Sequence, residues 1–313
     1  MTLTANRASG RPNAPARRRL EPGDIARALG YEAGSKLLII HADDMGLSRS
    51  VNRAILEALD GGYLSSASMM PPCRAVGCVD WRSVSERFDI GVHLTFTSEY
   101  AACRCRPVFP AGSAQSLVDA DGCFRSSAMA FARSASLDEV EMEARGQIEF
   151  AIESGLRPTH VDVHMFALYA NPGLCRVVQH AADGFDLPWL AVRTGTRPEF
   201  RPVASVFEDA GILLDNLLMA PPSVSCNDLT DWYIASLKAL PPGVTQLIVH
   251  PGIADAELRE ITAGHVAYGA VWRESDFAAI SAPRFRSVLE KEKIQLVDWR
   301  GLRGAMRKLQ EVA

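Results

Sequence analysis

The chain predicts an α/β fold built on a parallel sheet, and three observations carry that prediction. Apolar stretches of strand length recur along the sequence, stretches of helical periodicity separate them, and the strand-like stretches end in acids or histidines. Such alternation implies parallel strands covered by helices, as a barrel or as a doubly wound sheet, with functional groups gathered beyond the C-terminal strand ends.

Residues 1–34 come first and look different. Arg7, Arg11, Arg17, Arg18 and Arg19 precede the first acid, Glu21, in a Pro- and Gly-containing stretch that reads as a basic, flexible extension with a short helix around Asp24–Leu29. A twin-arginine export signal needs an apolar stretch next, whereas Glu21-Pro-Gly-Asp follows, so a cytoplasmic location is expected. From residue 35 to 313 the pattern is that of a single domain. Lys36-Leu-Leu-Ile-Ile-His-Ala-Asp-Asp-Met-Gly opens it as a buried strand running into a polar loop. Ser48 then caps a helix carrying Val51, Ile55 and Leu59, which Gly61-Gly62 stops. The same grammar returns in Phe88-Asp-Ile-Gly-Val-His-Leu-Thr-Phe-Thr, in Thr159-His-Val-Asp-Val-His-Met and in Thr245-Gln-Leu-Ile-Val-His-Pro-Gly. Between them a helix is expected over Leu137–Glu153, with a Ser136/Glu139 capping box and Gly155 as its stop, and others near 171–182, 227–239 and 283–293. Residues 99–135, rich in Gly, Ser, Pro and Cys, read as an inserted loop region.

Composition narrows the function. Of the 313 residues 48% are hydrophobic and 22% charged, a globular profile, and 33 Lys and Arg against 37 Asp and Glu leave a formal net charge of −4. No basic field exists to hold a phosphate backbone, so nucleic acid is not an expected partner. The longest apolar runs fall far short of the ~20 residues of a membrane helix, so no membrane partner is expected either. Seven cysteines, at 73, 78, 103, 105, 123, 175 and 226, include no Cys-x-x-Cys and read as free thiols of a reducing compartment.

Four separate strands are expected to deliver Asp43, Asp44, His93, His160, Asp162, His164 and His250 near their C-terminal ends, and five of the seven histidines, His41 included, lie in these segments. Any one alone reads most simply as a hydrogen-bonded core or loop residue; their convergence does not. A strand of period two puts His160, Asp162 and His164 on one face, and three buried ionisable groups must be paired, hydrated or metal-bound. Two imidazoles and a carboxylate with open positions make a catalytic metal site that acidifies water and polarises a carbonyl, and a second carboxylate beside it supplies a base. Asp43-Asp44 offers both.

These residues resemble the YdjC-like carbohydrate deacetylases, the ChbG/HpnK family. The matching motifs, spread over about residues 36–300, are His41-Ala-Asp-Asp-Met-Gly-Leu-Ser with Asn52 following, Ile90-Gly-Val-His-Leu-Thr, Ser116-Leu-Val-Asp-Ala-Asp-Gly-Cys-Phe, Arg157-Pro-Thr-His-Val-Asp-Val-His and Val249-His-Pro-Gly. The resemblance implies a distorted (β/α) barrel that hydrolyses an N-acetyl group with one divalent metal ion, zinc or magnesium. Carried over residue by residue, it implies Asp44, His93 and His164 as ligands, Asp43 as the base and His250 as the acid for the leaving amine. His160, Asp162 and His41 would orient the site, and a homo-oligomer is implied as well. The chain departs from the family where His164-Met-Phe-Ala replaces a histidine-rich run and where His41 stands in place of an Asn. Both changes point to an N-acetylated sugar or glycoconjugate other than plain chito-oligosaccharide. The alternatives are a metal-dependent amidase on a non-carbohydrate amide and a non-catalytic sugar-binding relative.

By the same resemblance Arg193 and Arg273-Glu274-Ser275-Asp276 fall where the family has polar residues near the cleft, but they read at least as well as surface ion pairs or helix ends and are left out of the catalytic set. Trp232, Tyr233, Trp272 and Trp299 could stack on a sugar but read by default as core or subunit-interface packing, and Cys103-Arg-Cys105 as incidental.

Overall fold

The structure, a computed structural model, describes residues 23–109, 112, 114–193 and 197–311. Its centre is β1 (Lys36–Met45), whose Leu37, Leu38, Ile39 and Ile40 are fully buried, as a parallel strand covered on both faces requires. One edge of β1 pairs with β6 (Gly243–Val249), in register from Lys36 opposite Gly243 to Ala42 opposite Val249. The other edge is shared: β7 (Gln295–Leu296) takes Leu37 and Leu38, and β2 (Ser66–Met69) takes His41, Ala42 and Met45. Beyond β2 follow β3 (Ile90–Leu94) and β4 (Val161–Val163), and β5 (Asn216–Met219) flanks β6, every pairing being parallel. Isolated parallel bridges from Val161 to Trp189 and from Val192 to Leu214 continue the pairing from β4 round to the chain entering β5. The fold is a distorted (β/α) barrel.

Helices cover the outside as the periodicity predicts. In α2 (Arg49–Asp60) Ser48 Oγ accepts from Val51 N at 3.1 Å, and Val51, Ile55 and Leu59 are buried. α5 (Leu137–Glu153) has the expected bounds, with Gly155 at φ +98° just past its end. Its capping box, however, does not form. Ser116 Oγ donates to Glu139 Oε2 at 2.7 Å and accepts from Ser136 N at 2.8 Å, so a hydroxyl of the inserted loop stands between Ser136 N and the Glu139 carboxylate that was expected to accept from it. The helices expected near 171–182, 227–239 and 283–293 are α6 (Pro172–Gly184), α8 (Leu229–Lys238) and α11 (Pro283–Lys291). The others are α3 (Trp81–Arg87), α4 (Ala128–Ser134), α7 (Ala204–Glu208), α9 (Ala256–Ile261), α10 (Ala270–Ser281) and α12 (Trp299–Glu311).

Of the N-terminal stretch, residues 1–22 lie outside the described residues. The short helix expected next is α1 (Asp24–Ala28), and its Ile25 and Ala26 are buried where α1 packs on α12. Within 99–135, Phe124 and Phe131 close around Phe96 at 5.9 and 5.3 Å, and buried Glu143 of α5 accepts from Val108 N and Phe109 N at 2.9 and 3.0 Å. This segment is thereby fixed to the barrel despite its weak periodicity.

Side chains fill the barrel interior. At its N-terminal end Trp299 is fully buried, donates through Nε1 to Gln246 Oε1 at 2.8 Å and stacks on His160 with ring centroids 4.9 Å apart. The His160 ring occupies space that exists because residue 91 is glycine: a Cβ there would sit 2.5 Å from ring atoms. We therefore expect Gly91→Ala to lower stability by about 1–3 kcal/mol through overpacking. A urea-unfolding cycle with His160→Ala checks the cause, since the penalty should shrink in the double variant if the two side chains compete for one space.

Candidate functional site

Asp43, Asp44, His93, His164 and His250 meet at the C-terminal ends of β1, β3, β4 and β6. A regular strand would send Asp43 and Asp44 to opposite faces. Here the register of β1 on β2 slips between Ala42 and Met45, and Asp44 takes a left-handed φ of +71°, so both carboxylates face the interior. They approach the same imidazole nitrogen, His93 Nε2 lying 3.8 Å from Asp43 Oδ2 and 3.5 Å from Asp44 Oδ1. The next residues hold this turn. Gly46 N donates to Asn52 Oδ1 at 2.6 Å, Asn52 Nδ2 donates to Ala75 O at 2.9 Å, and Gly46 at φ +106° leaves no room for a Cβ beside Val76.

His164 completes the group, with Nδ1 at 3.2 Å from Asp44 Oδ1. Left-handed Met165 and Phe166, at φ 51° and 50°, turn the chain away immediately after it. Asp44, His93 and His164 each offer a ligand atom within 4.8 Å of the others. Asp43 Oδ1, Asp44 Oδ1 and His93 Nε2 are buried and have no hydrogen-bond partner, which is the state of donor atoms arranged for a cation rather than for one another. One carboxylate and two imidazoles suit a divalent metal by both charge and donor type.

A second set of residues fixes the first. Asp162 Oδ1 lies 2.8 Å from His93 Nδ1, which directs the free Nε2 at the acids, and its Oδ2 lies 2.9 Å from His41 Nε2. Ser68 Oγ donates to Asp162 at 3.0 Å, and His41 reaches Asp43 Oδ1 at 3.3 Å. His160, expected near the C-terminal end of its strand, instead precedes β4 at the base of the barrel, its Nδ1 on Thr159 Oγ1 at 2.9 Å, because the period-two face of a short strand runs from base to rim and only His164 reaches the rim.

Electrostatics differ sharply between neighbours. Burial raises the Asp43 carboxyl, only partly offset by His93 and His41, to about 6. Burial acts on Asp44 too, but there Arg273, His164 and His93 outweigh it and hold the acid well below the ordinary range. His93 resists its burial and is raised well above the usual value by Asp162 and Asp43. His164 likewise rises to about 9, burial being overcome by Glu99 and Asp44. For His250 burial prevails, reinforced by Arg273 and the other histidines, and lowers it to about 3. It rests neutral, its Nε2 3.8 Å from Asp43 Oδ2 and its ring 4.8 Å from that of Tyr268.

Three participants escaped the sequence reading. Arg273, taken there for a surface residue or helix end, is buried: Nη2 donates to Asp44 Oδ2 at 2.5 Å and to Tyr100 Oη at 3.2 Å, and Nε to Tyr268 O at 2.8 Å. Glu99, at the start of the inserted segment, lies 3.1 Å from His164 Nε2 and leaves Nδ1 facing Asp44. Asp276 accepts from His250 N at 2.7 Å and from Tyr233 Oη at 2.5 Å. The only signals were polar residues just past a strand end and at helical spacing in Arg273 and Asp276. By contrast, Arg193 does pair with Asp215 at 2.9 Å, and Tyr233, Trp272 and Trp299 are core residues.

Fold and site together define a (β/α) barrel protein with a buried Asp/His group able to hold a metal ion at its C-terminal rim. The chain belongs to the YdjC-like protein family, whose model matches residues 37–291. A carbohydrate deacetylase of Thermus thermophilus is 31% identical over 296 residues, covering 90% of this chain and 99% of that protein. A carbohydrate deacetylase of Geobacillus stearothermophilus is 28% identical over 269 residues, covering 84% and 96%. Among solved structures, a crystal structure described as a cellobiose-phosphate cleavage protein of Enterococcus faecalis superposes with a TM-score of 0.72 at 25% identity, over 86% of this chain and 99% of that one.

Removing the guanidinium from Asp44 should expose the cost of its burial. Arg273→Gln is expected to lower stability by about 3–5 kcal/mol in metal-free urea unfolding. Saturating divalent cation should restore part of that loss, because it supplies the missing positive charge.

Proposed function

We propose that the chain is a metal-dependent N-deacetylase that hydrolyses the acetamido group of an N-acetylated sugar or glycoconjugate to acetate and a free amine. The observation that carries this reading is that Asp44, His93 and His164 each offer a ligand atom within 4.8 Å of the others, with Asp44 Oδ1 and His93 Nε2 buried without a hydrogen-bond partner and Asp43 Oδ2 3.8 Å from the same His93 nitrogen. Relatives named carbohydrate deacetylase that align over nearly their whole length support the substrate class.

Asp44, His93 and His164 would hold one divalent ion, zinc or magnesium, and the imidazole-rich set leans toward zinc. When bound, the ion supplies acidification of a water and polarisation of the acetamide carbonyl. Asp43, raised to about 6, takes the proton of the attacking water, while His41, 3.3 Å from its Oδ1, fixes its orientation. Neutral His250, within 3.8 Å of the other Asp43 oxygen, takes up that proton as negative charge develops on the substrate and passes it to the leaving nitrogen. Asp276 holds the His250 backbone, and Asp162 keeps His93 in the tautomer with a free Nε2. The seven free cysteines suit the reducing cytoplasm, and among the described residues no helix is long and apolar enough to cross a membrane.

The decisive experiment is acetate release from a panel of N-acetylated sugars and glycoconjugates. It uses metal-stripped protein and protein restored with zinc, magnesium, manganese or cobalt. Metal-dependent acetate is expected from at least one, and its absence from all, with metal bound, would reject the reading. His164→Ala should lose metal stoichiometry by elemental analysis. Asp43→Asn should keep the metal and lose turnover by roughly 10²–10⁴-fold. Because Asp43 acts deprotonated, kcat/KM should fall as pH drops, with an acid limb at or below about 6 since a bound cation pulls the carboxyl down. Metal binding should strengthen as pH rises toward about 9, where His164 surrenders the proton that a cation must displace.

A further inference from the structure

At the N-terminal end of the barrel, opposite the acid-lined rim, lies a cavity of about 570 Å³ bordered by α3, the end of α5, the turn into β4 and α12. One wall is apolar, formed by Ile152, Leu156, Phe185 and Leu187, with Ile152 left largely exposed at its lip. The other carries Arg157, Arg300 and Arg303, with Glu86 as the lining acid.

These three cations are poorly neutralised. The backbone N of Arg157 donates to Ser85 Oγ at 3.1 Å, but its exposed guanidinium forms no ion pair with the described residues. Arg300 Nη2 donates to the carbonyls of Ser85 and Phe88 at 3.0 and 2.8 Å, and only its backbone N meets an acid, Asp89 Oδ2, at 2.6 Å. Arg303 Nη1 donates to Pro158 O at 3.2 Å, while its Nη2 stands 3.5 Å from Asp186, a carboxylate that Arg307 also engages. Its Nε is buried without a hydrogen-bond partner. Burial and the charge of Arg307 loosen the Arg303 proton, so an added anion would relieve a repulsion already present. Guanidinium forks facing a concave space beside apolar side chains match a multiply charged oxyanion carried on an organic body. A monocarboxylate offers one charge and two oxygens, too few for three forks.

We propose that this cavity binds a small phosphorylated molecule, its phosphate among Arg157, Arg300 and Arg303 and its organic body against Ile152, Leu156 and Phe185. The site is separate from the acid-lined rim and independent of the deacetylase reading. Titration calorimetry of the full-length protein with glucose 6-phosphate, inorganic phosphate and glucose tests it. Saturable one-to-one binding of glucose 6-phosphate is expected, weaker binding of inorganic phosphate, and none of glucose. Arg157→Ala removes only an exposed guanidinium, so it should fold normally and weaken glucose 6-phosphate at least about tenfold, as should Arg303→Gln. No saturation up to about 10 mM would overturn the proposal. So would an affinity unchanged in both variants, which would place the anion elsewhere, and equal affinity for inorganic phosphate would remove the apolar wall from the site.

Discussion

Carboxylates buried inside a barrel must be neutralised where they stand, and that constraint organises this molecule. Asp43, Asp44 and Asp162 all lie within the ring of strands, each nearly inaccessible to water. Asp162 is answered by His41 and His93, and Asp44 by Arg273 and His164. Asp43 alone has no strong partner, which is why burial moves it upward while its neighbours move down. The division of labour between two adjacent acids thus follows from which one meets the guanidinium.

The imidazoles settle into roles by the same logic. His93 is bound on one side by Asp162, so its other nitrogen is committed to the rim, and His164 is bound by Glu99, so its Nδ1 is committed to Asp44. His250 has only Asp43 Oδ2 near its ring, at 3.8 Å, while Asp276 engages its backbone, so burial and the surrounding cations prevail and it stays neutral. A rim with fixed acceptors on one side and a weakly held carboxylate and a neutral imidazole on the other is asymmetric in the sense that the proposed hydrolysis requires.

How much of this the sequence made legible depended on whether the information was local. The β4 face of His160, Asp162 and His164 could be read because period two is a property of neighbouring residues, and α5 because its apolar stripe and Gly155 are contiguous. What escaped was non-local. Arg273 reaches Asp44 across 229 positions, and nothing near it marks it as a buried cation. The inward turn of both Asp43 and Asp44 depends on a slip against β2, which no residue of β1 announces. The Ser136/Glu139 capping box was correct as local chemistry and lost to Ser116, a competitor twenty residues upstream.

The two ends of the barrel are joined by one unbroken stack of side chains. Thr159 lines the arginine cavity and bonds His160. The His160 ring meets that of His41 edge-on at 5.0 Å, and His41 touches Asp43. Contiguity alone transmits nothing, because coupling needs an element with two arrangements that both sites bias. Here His160 is stacked on Trp299 on one side and pressed against the bare Cα of Gly91 on another, which leaves its ring no alternative position. The packing that carries the rim acids is thus a rigid column, and the proposed anion at its base would stabilise the barrel as a whole rather than switch any chemistry at its rim.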